Sequence, residues 1–473
     1  MKALDERSLP ALVAQVCIVI VIAVSVTGIF VQGAALSLMA GAALLVYFLI
    51  CWRLFTLVTW VPVILSLVML ALSLWRGISL ETLTQAMDRM AFLAALLAVT
   101  GMLRVVAQSA PEIAAAGRYL TSQPPSRRYW ALSFGGHVFG LLINLGGLAI
   151  LLDMTRQALA GSGGIPDRMR EWKLRRMTTA TLRGFSLVAL WSPFGFGINL
   201  LLLAMPGLSY FQIGPLGFAL TFAFGFWGWL VDRLTAPRPT PGAPVTVGPD
   251  PDDRGAVARM LGHVAGLAVI VFALNLATGL DFQRALLVGL PVYSLIWAAR
   301  LGRRRPGGPA GSIRQALGET LRRFPLAAGE LGVFASAGLL AVLMLELVPV
   351  DQVQALIADW QLAPWQMIVL LNLTLFGFGA AGINPIITAS VLGSLVTRLD
   401  MPGLSQLAAG IGMAGAWSCV MGFTPFITTV AYTGALIGRP VARVGLFWNG
   451  PYCLSALVLW TAALAAAVAA GLI

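Results

Sequence analysis

Residues 376–438 read FGFGAAGINPIITASVLGSLV, then the polar break TRLDMPGLSQ, then LAAGIGMAGAWSCVMGFTPFITTVAYTGALIG. Outside Arg398, Asp400 and Gln406 in the break, this stretch carries no charge and almost no large polar side chain, so it reads as embedded in a membrane. Yet it is filled with glycine and interrupted by Asn384-Pro385 and Thr424-Pro425. A lipid-exposed helix gains nothing from such breakers, because each backbone group they free costs several kcal/mol in hydrocarbon. Interrupted helices at membrane depth are tolerated where they line a cavity or a binding site. The stretch is therefore expected to form half of a transport site.

The rest of the chain is of the same character. It is 59% hydrophobic and 11% charged, with a mean hydropathy of +0.87. Roughly 20 apolar residues suffice to span a bilayer, so the composition defines an all-α polytopic membrane protein. The net charge of +12 sits in short loops between apolar runs and is explained by the positive-inside rule, with no nucleic-acid partner. Cys17, Cys51, Cys419 and Cys453 lie in or beside apolar runs without metal-ligand spacing, and read as packing residues; no metal site or cofactor is expected. The N-terminal MKALDERSLP lacks a small-x-small cleavage site and is taken to lead into an uncleaved first span.

Apolar runs at about 11–31, 33–52 and 54–75 give N-terminal scaffold helices within 1–80, and a further span covers about 85–108. Residues 109–128 read as a surface segment, 129–154 as a hairpin, and 178–205 as a helix broken at Trp191-Ser192-Pro193. A Pro-rich cytoplasmic linker occupies 232–256, and residues 257–318 hold scaffold helices and a basic loop. The second half then brings a span at about 324–348, a hairpin at 364–397, a broken helix at 405–433 and a last span from about 445.

This order repeats. Glu81-Thr-Leu and Glu319-Thr-Leu each open a segment of span, surface piece, hairpin with an Asn (Asn144, Asn384) and Trp-Ser-containing broken helix, and MPGLS occurs at both Met205 and Met401. Repeat 1 is placed at 81–231 and repeat 2 at 319–473. If both hairpins return to the side they entered from and the N-terminus is cytoplasmic, the basic loops at 118–128, 156–176, 233–259, 300–323 and 439–443 all fall on the cytoplasmic side. The first hairpin is then inner and the second outer, which is inverted topology, an arrangement that builds a site at the midplane. The location is expected to be a bacterial inner (plasma) membrane.

The run Thr424-Pro425-FITTVAYTG, continuing to Gly445, is similar to the Thr-Pro-containing broken helix near the end of divalent anion:sodium symporters. More broadly the chain resembles the ion transporter superfamily, which includes arsenite-efflux-type pumps and the large membrane subunit of TRAP transporters. Gly382-Ile383-Asn384-Pro385 and Leu142-Ile143-Asn144-Leu145 stand where the symporters carry a Ser-Asn-Thr signature, so the resemblance is one of layout. It implies an elevator-type secondary transporter, often a homodimer in the lipid bilayer, moving a small, anionic solute such as an organic acid or oxyanion with Na+ or H+ as coupling ion. On this reading the binding residues are Asn144 and Asn384 at the hairpin tips, and Ser192, Asn199, Ser418, Thr424, Thr428 and Thr429 at the breaks.

The competing role for such Ser and Thr side chains is bonding to a nearby carbonyl. His137 and Asp153 are the candidate proton carriers, because ionisable groups within membrane segments are functional candidates by default. Arg183 is expected to snorkel to the headgroups, and Glu330 and Glu346 to sit at the interface. HExxH, GxSxG, CxxC and a Gly-rich phosphate loop with a Lys are all missing from the sequence, so the chain is not read as an enzyme. The alternative class is a membrane-embedded enzyme or subunit for lipid or glycan handling.

Overall fold

The computed structural model describes residues 8–31, 33–160, 166–236, 253–347, 350–399 and 401–473. Most of the Pro-rich linker expected at 232–256, and Asp400, lie outside them. The described residues form helices and no strands. Ten of the helical segments are long and apolar enough to cross a membrane.

In the first half, α1 (Leu9–Thr27), α2 (Ala34–Cys51) and α3 (Leu57–Trp75) precede the long α4 (Leu80–Gln108). The surface segment is a short amphipathic helix, α5 (Pro111–Thr121). Helices α6 (Pro125–Ile143) and α7 (Leu145–Ala160) follow, then α8 (Asp167–Ser186), α9 (Val188–Trp191), α10 (Phe196–Ala204) and α11 (Tyr210–Thr235). Between the halves lie α12 (Arg254–Thr278), α13 (Phe282–Gly302) and α14 (Gly308–Arg323). The second half has α15 (Ala328–Leu347), α16 (Val350–Asp359), α17 (Pro364–Ala380), α18 (Pro385–Val396), α19 (Gln406–Met421) and α20 (Thr428–Ile437). A π-helical turn at Arg443–Asn449 leads into α21 (Gly450–Ala469). Both halves thus run long helix, short helix, hairpin, interrupted helix, long helix.

Several boundaries differ from the sequence reading. The first hairpin extends over 125–160 rather than 129–154, and the helix of the first break starts at Asp167 rather than near 178, because the basic run 168–176 is itself helical. Glu319-Thr-Leu ends α14, whereas Glu81-Thr-Leu opens α4, so these letters do not mark equivalent positions. The two MPGLS runs are likewise not equivalent: one follows the first broken helix and the other precedes the second. Layout repeats, and those letters do not.

Both hairpins turn back on themselves. A Cβ on Gly147 would lie 2.5 Å from the carbonyl oxygen of Phe139, so α7 folds onto α6 around Asn144. The second reversal, at Ala381–Asn384, uses Gly382 at φ +101, where an L side chain is strained. The chain ends of the two hairpins lie at opposite ends of the bundle. At one end, Arg439 pairs with Glu171 at 2.6 Å, Arg156 donates to the Leu436 carbonyl at 2.6 Å, and Arg118 pairs with Asp253 at 3.0 Å. Arg323 donates to Gln108 at 2.7 Å at this same basic end, where the first hairpin begins and ends. At the other end, Gly403 packs on Pro364, Gly207 on Gln406, and Arg398 lies 3.6 Å from Glu346. The second hairpin begins and ends there.

Helices in corresponding places of the two halves run antiparallel. On α4 and α15, Arg104 meets Glu330 and Arg89 meets Gly338. On α11 and α21, Phe224 meets Trp460 and Trp227 bonds to Ser455 at 2.9 Å. α4 and α15 are mostly buried, whereas α3 and α12 expose most of their apolar surface and form the rim.

The first hairpin is locked to α8 by backbone contact. A Cβ on Gly184 would stand 1.8 Å from the Ser133 carbonyl oxygen, and one on Gly136 would stand 2.2 Å from that of Thr181. Small residues permit this approach where lipid supplies no hydrophobic drive between helices. Gly184→Val is therefore expected to destabilise the purified protein by about 1–3 kcal/mol or more, seen as a lower melting temperature in detergent. Gly101→Ala, where a Cβ meets nothing within 4 Å, should leave the melting temperature unchanged; equal effects of both changes would refute the close crossing.

Candidate functional site

Both hairpin tips and both helix interruptions border one cavity of about 530 Å³. Asn144 and Leu145 come from the first tip, Gly382, Asn384 and Pro385 from the second. Phe194–Gly197 come from the first break, and Phe426–Thr428 from the second. The remaining wall is mostly apolar side chains of α3, α4, α6, α8 and α15.

What these positions offer is mainly backbone. The first turns of α10, α18 and α20 all reach the cavity, and the first N–H groups of a helix have no partner inside it. On α18 the Asn384 side chain takes one of them, accepting from Ile386 N at 3.0 Å. α10 and α20 have no side-chain cap, and their N-cap positions are Gly195 and Ile427. Helix starts, which carry partial positive charge, therefore border the cavity together with the last turns of α6 and α19.

The eight expected binding residues divide by position. Asn144, Asn384 and Thr428 line the cavity. Ser192, Asn199, Thr424 and Thr429 instead serve the backbone freed by the breaks. The Ser192 hydroxyl accepts from Phe194 N at 3.2 Å. Asn199 Nδ2 donates to the carbonyls of Pro193 at 2.9 Å and Gly195 at 2.8 Å. Thr429 donates across the second break to the Met421 carbonyl. Thr424 donates to the Ala380 carbonyl at 3.1 Å, fastening that break to the end of α17. Ser418 is buried in α19 and outside the cavity lining.

His137 lies off the cavity with both ring nitrogens engaged: Nδ1 is 3.1 Å from the Gly184 carbonyl, and Nε2 accepts from Trp191 Nε1 at 2.9 Å. That pairing assigns the neutral Nδ1–H tautomer, since Trp Nε1 only donates. Asp153 is exposed on α7 and bonded to Gln157 at 2.6 Å.

One charged residue sits differently from the sequence reading, and one charged pair was not read from it. Arg183 does not snorkel: it is buried, with Nε donating to Asn449 Oδ1 at 2.8 Å, Nη1 to the Gly228 carbonyl at 2.8 Å, and the guanidinium 4.6 Å over the Tyr452 ring. Its partners come from α11 and the turn before α21, too far along the chain for the sequence to pair. Arg104, in the last turns of α4, and Glu330, in the first turn of α15, meet in the cavity wall at 3.2 Å. Arg104 was legible in principle as an ionisable residue inside the apolar run of α4.

Together these features define a multi-pass helical membrane protein whose interrupted segments converge on one partly open cavity. Its fold is similar to that in the crystal structure of the Alcanivorax borkumensis YdaH transporter, described as having an unusual topology. The TM-score is 0.60 at 17% sequence identity, over 88% of this chain and 98% of that one. At that identity the similarity is one of fold. No family model matches the chain, and no curated protein matches it.

Asn144 holds φ 56° and ψ −133°, in the left-handed half of the backbone map that glycine occupies readily. Asn144→Gly should therefore keep or raise the melting temperature. Asn144→Val should lower stability by about 1–3 kcal/mol, and a neutral valine substitution would contradict the tight reversal.

Proposed function

We propose that the protein is a secondary transporter that moves a small anionic solute by alternating access at the cavity, with the two hairpins and two broken helices acting as the mobile unit. The single observation that carries this reading is the meeting of both hairpin tips and both helix interruptions around one cavity. Breaks that served only to bend helices would have no reason to converge. The antiparallel course of α4 and α15 and of α11 and α21, with hairpins entering from opposite ends, supports two inverted repeats. The uncapped helix starts favour negative charge in the solute. The similarity to a solved transporter fold supports the class. Basic loops gathered at one end support a cytoplasmic placement for that end.

The coupling ion is Na+ or H+ in this account. The His137 geometry favours a structural histidine over a proton carrier, because its two nitrogens already hold α8 and the first break.

Proteoliposomes containing the purified chain should accumulate labelled organic acid under an imposed Na+ or H+ gradient. Asn384→Ala should reduce uptake at least tenfold with the melting temperature held, and uptake unaffected by it would remove the tip from the site. His137→Gln should leave the pH profile of flux in place; a flattened profile would restore the histidine as carrier.

A further inference from the structure

Among the described residues, charge reaches the cavity wall at one point, the Arg104–Glu330 pair. Every other lining residue is apolar, a neutral polar residue or glycine. The pair is not needed to join its helices, since α4 and α15 already touch backbone to backbone at Gly338 and Arg89. Nor is it built as a sealed latch. The contact is a single Nη1 to Oε2 approach of 3.2 Å, where a guanidinium and a carboxylate can form a two-pronged one. The side chains keep 20% and 45% of their exposure. The Arg104 guanidinium also lies 5.5 Å over the ring of Phe196, the first residue of α10, whose uncapped start faces the same space.

We propose that Arg104 is the cation that binds the solute's anionic group, and that Glu330 is its internal substitute when the cavity is empty. An incoming carboxylate displaces Glu330 from the guanidinium and takes its place beside the start of α10. The balance of charge also assigns a class of solute. One cation meets one negative group, while a second beside it would face the released Glu330 carboxylate, and like charges repel. Phe194, Phe196, Phe334, Phe426 and Trp417 line the cavity and suit an apolar body. The solute is thus a monocarboxylate with an apolar part rather than a dicarboxylate or an inorganic dianion. This inference rests on the transporter reading and deepens it.

The test is equilibrium binding of labelled benzoate to the full chain in nanodiscs, with hexanoate, succinate and benzylamine as competitors. Hexanoate should compete, and succinate and benzylamine should compete at least about tenfold more weakly. Arg104→Gln should weaken benzoate binding at least about tenfold, whereas Glu330→Gln should tighten it about threefold or more by removing the internal competitor. The gain in Glu330→Gln keeps the test valid if Arg104→Gln fails to fold, since damage does not improve affinity. Wild-type protein that binds neither monocarboxylate, or prefers succinate, overturns the assignment, as does Glu330→Gln with unchanged affinity. Uptake lost in Asn384→Ala but intact in Arg104→Gln would overturn this inference alone and leave the transporter reading standing.

Discussion

A helix interrupted within hydrocarbon exposes N–H and C=O groups that lipid cannot satisfy, and that constraint orders the whole molecule. The chain answers it with its own small polar side chains. Asn199 takes the carbonyls of Pro193 and Gly195, Thr429 reaches back to Met421, and Thr424 ties the second break to Ala380. In each case a donor bridges the gap that the helix left open. Carbonyls of the breaks are thereby occupied, while the helix starts that follow Gly195 and Ile427 carry no side-chain cap and border the cavity. The proposed preference for an anionic solute rests on these helix starts, without a cluster of basic residues.

Rigidity around the cavity comes from close helix crossings. Gly136 and Gly184 bring α6 and α8 into backbone contact, and Gly338 does the same for α15 against α4. The first hairpin is further held by His137, which joins α6 to α8 and to Trp191 at the edge of the first break. Buried Arg183 ties α8 to α11 and to Asn449 before α21. The elements that present their ends to the cavity are therefore braced by residues such as His137 and Arg183 that do not line it, and α4 and α15 supply the wall that bears the Arg104–Glu330 charges.

Much of this plan was readable in the sequence, because breakers in apolar runs have few physical uses. Asn384-Pro385, Thr424-Pro425 and Ser192-Pro193 all mark real interruptions, and Asn144 marks a real reversal. The distribution of positive charge indicated which ends of the hairpins lie together. What the sequence could not supply was which side chains face the cavity and which serve the backbone. Thr428 and Thr429 are adjacent, yet one lines the space and the other bonds across the break. Arg104 and Glu330 stand 226 residues apart, and only the packing of α4 on α15 reveals them as partners. Short letter matches such as Glu-Thr-Leu misled, because apolar helical sequence offers many chance repeats, whereas the succession of elements did not.

The proposed site depends on two reversals that end inside the protein, and the depth of their tips in a bilayer is its most direct measure. An experimental map of the chain in lipid nanodiscs should place Asn144 and Asn384 near the bilayer midplane on facing sides of one cavity, with residues 125 and 160 at one membrane surface and residues 364 and 396 at the other. A map with either tip at headgroup level, so that α6 or α17 crosses the bilayer completely, would contradict it.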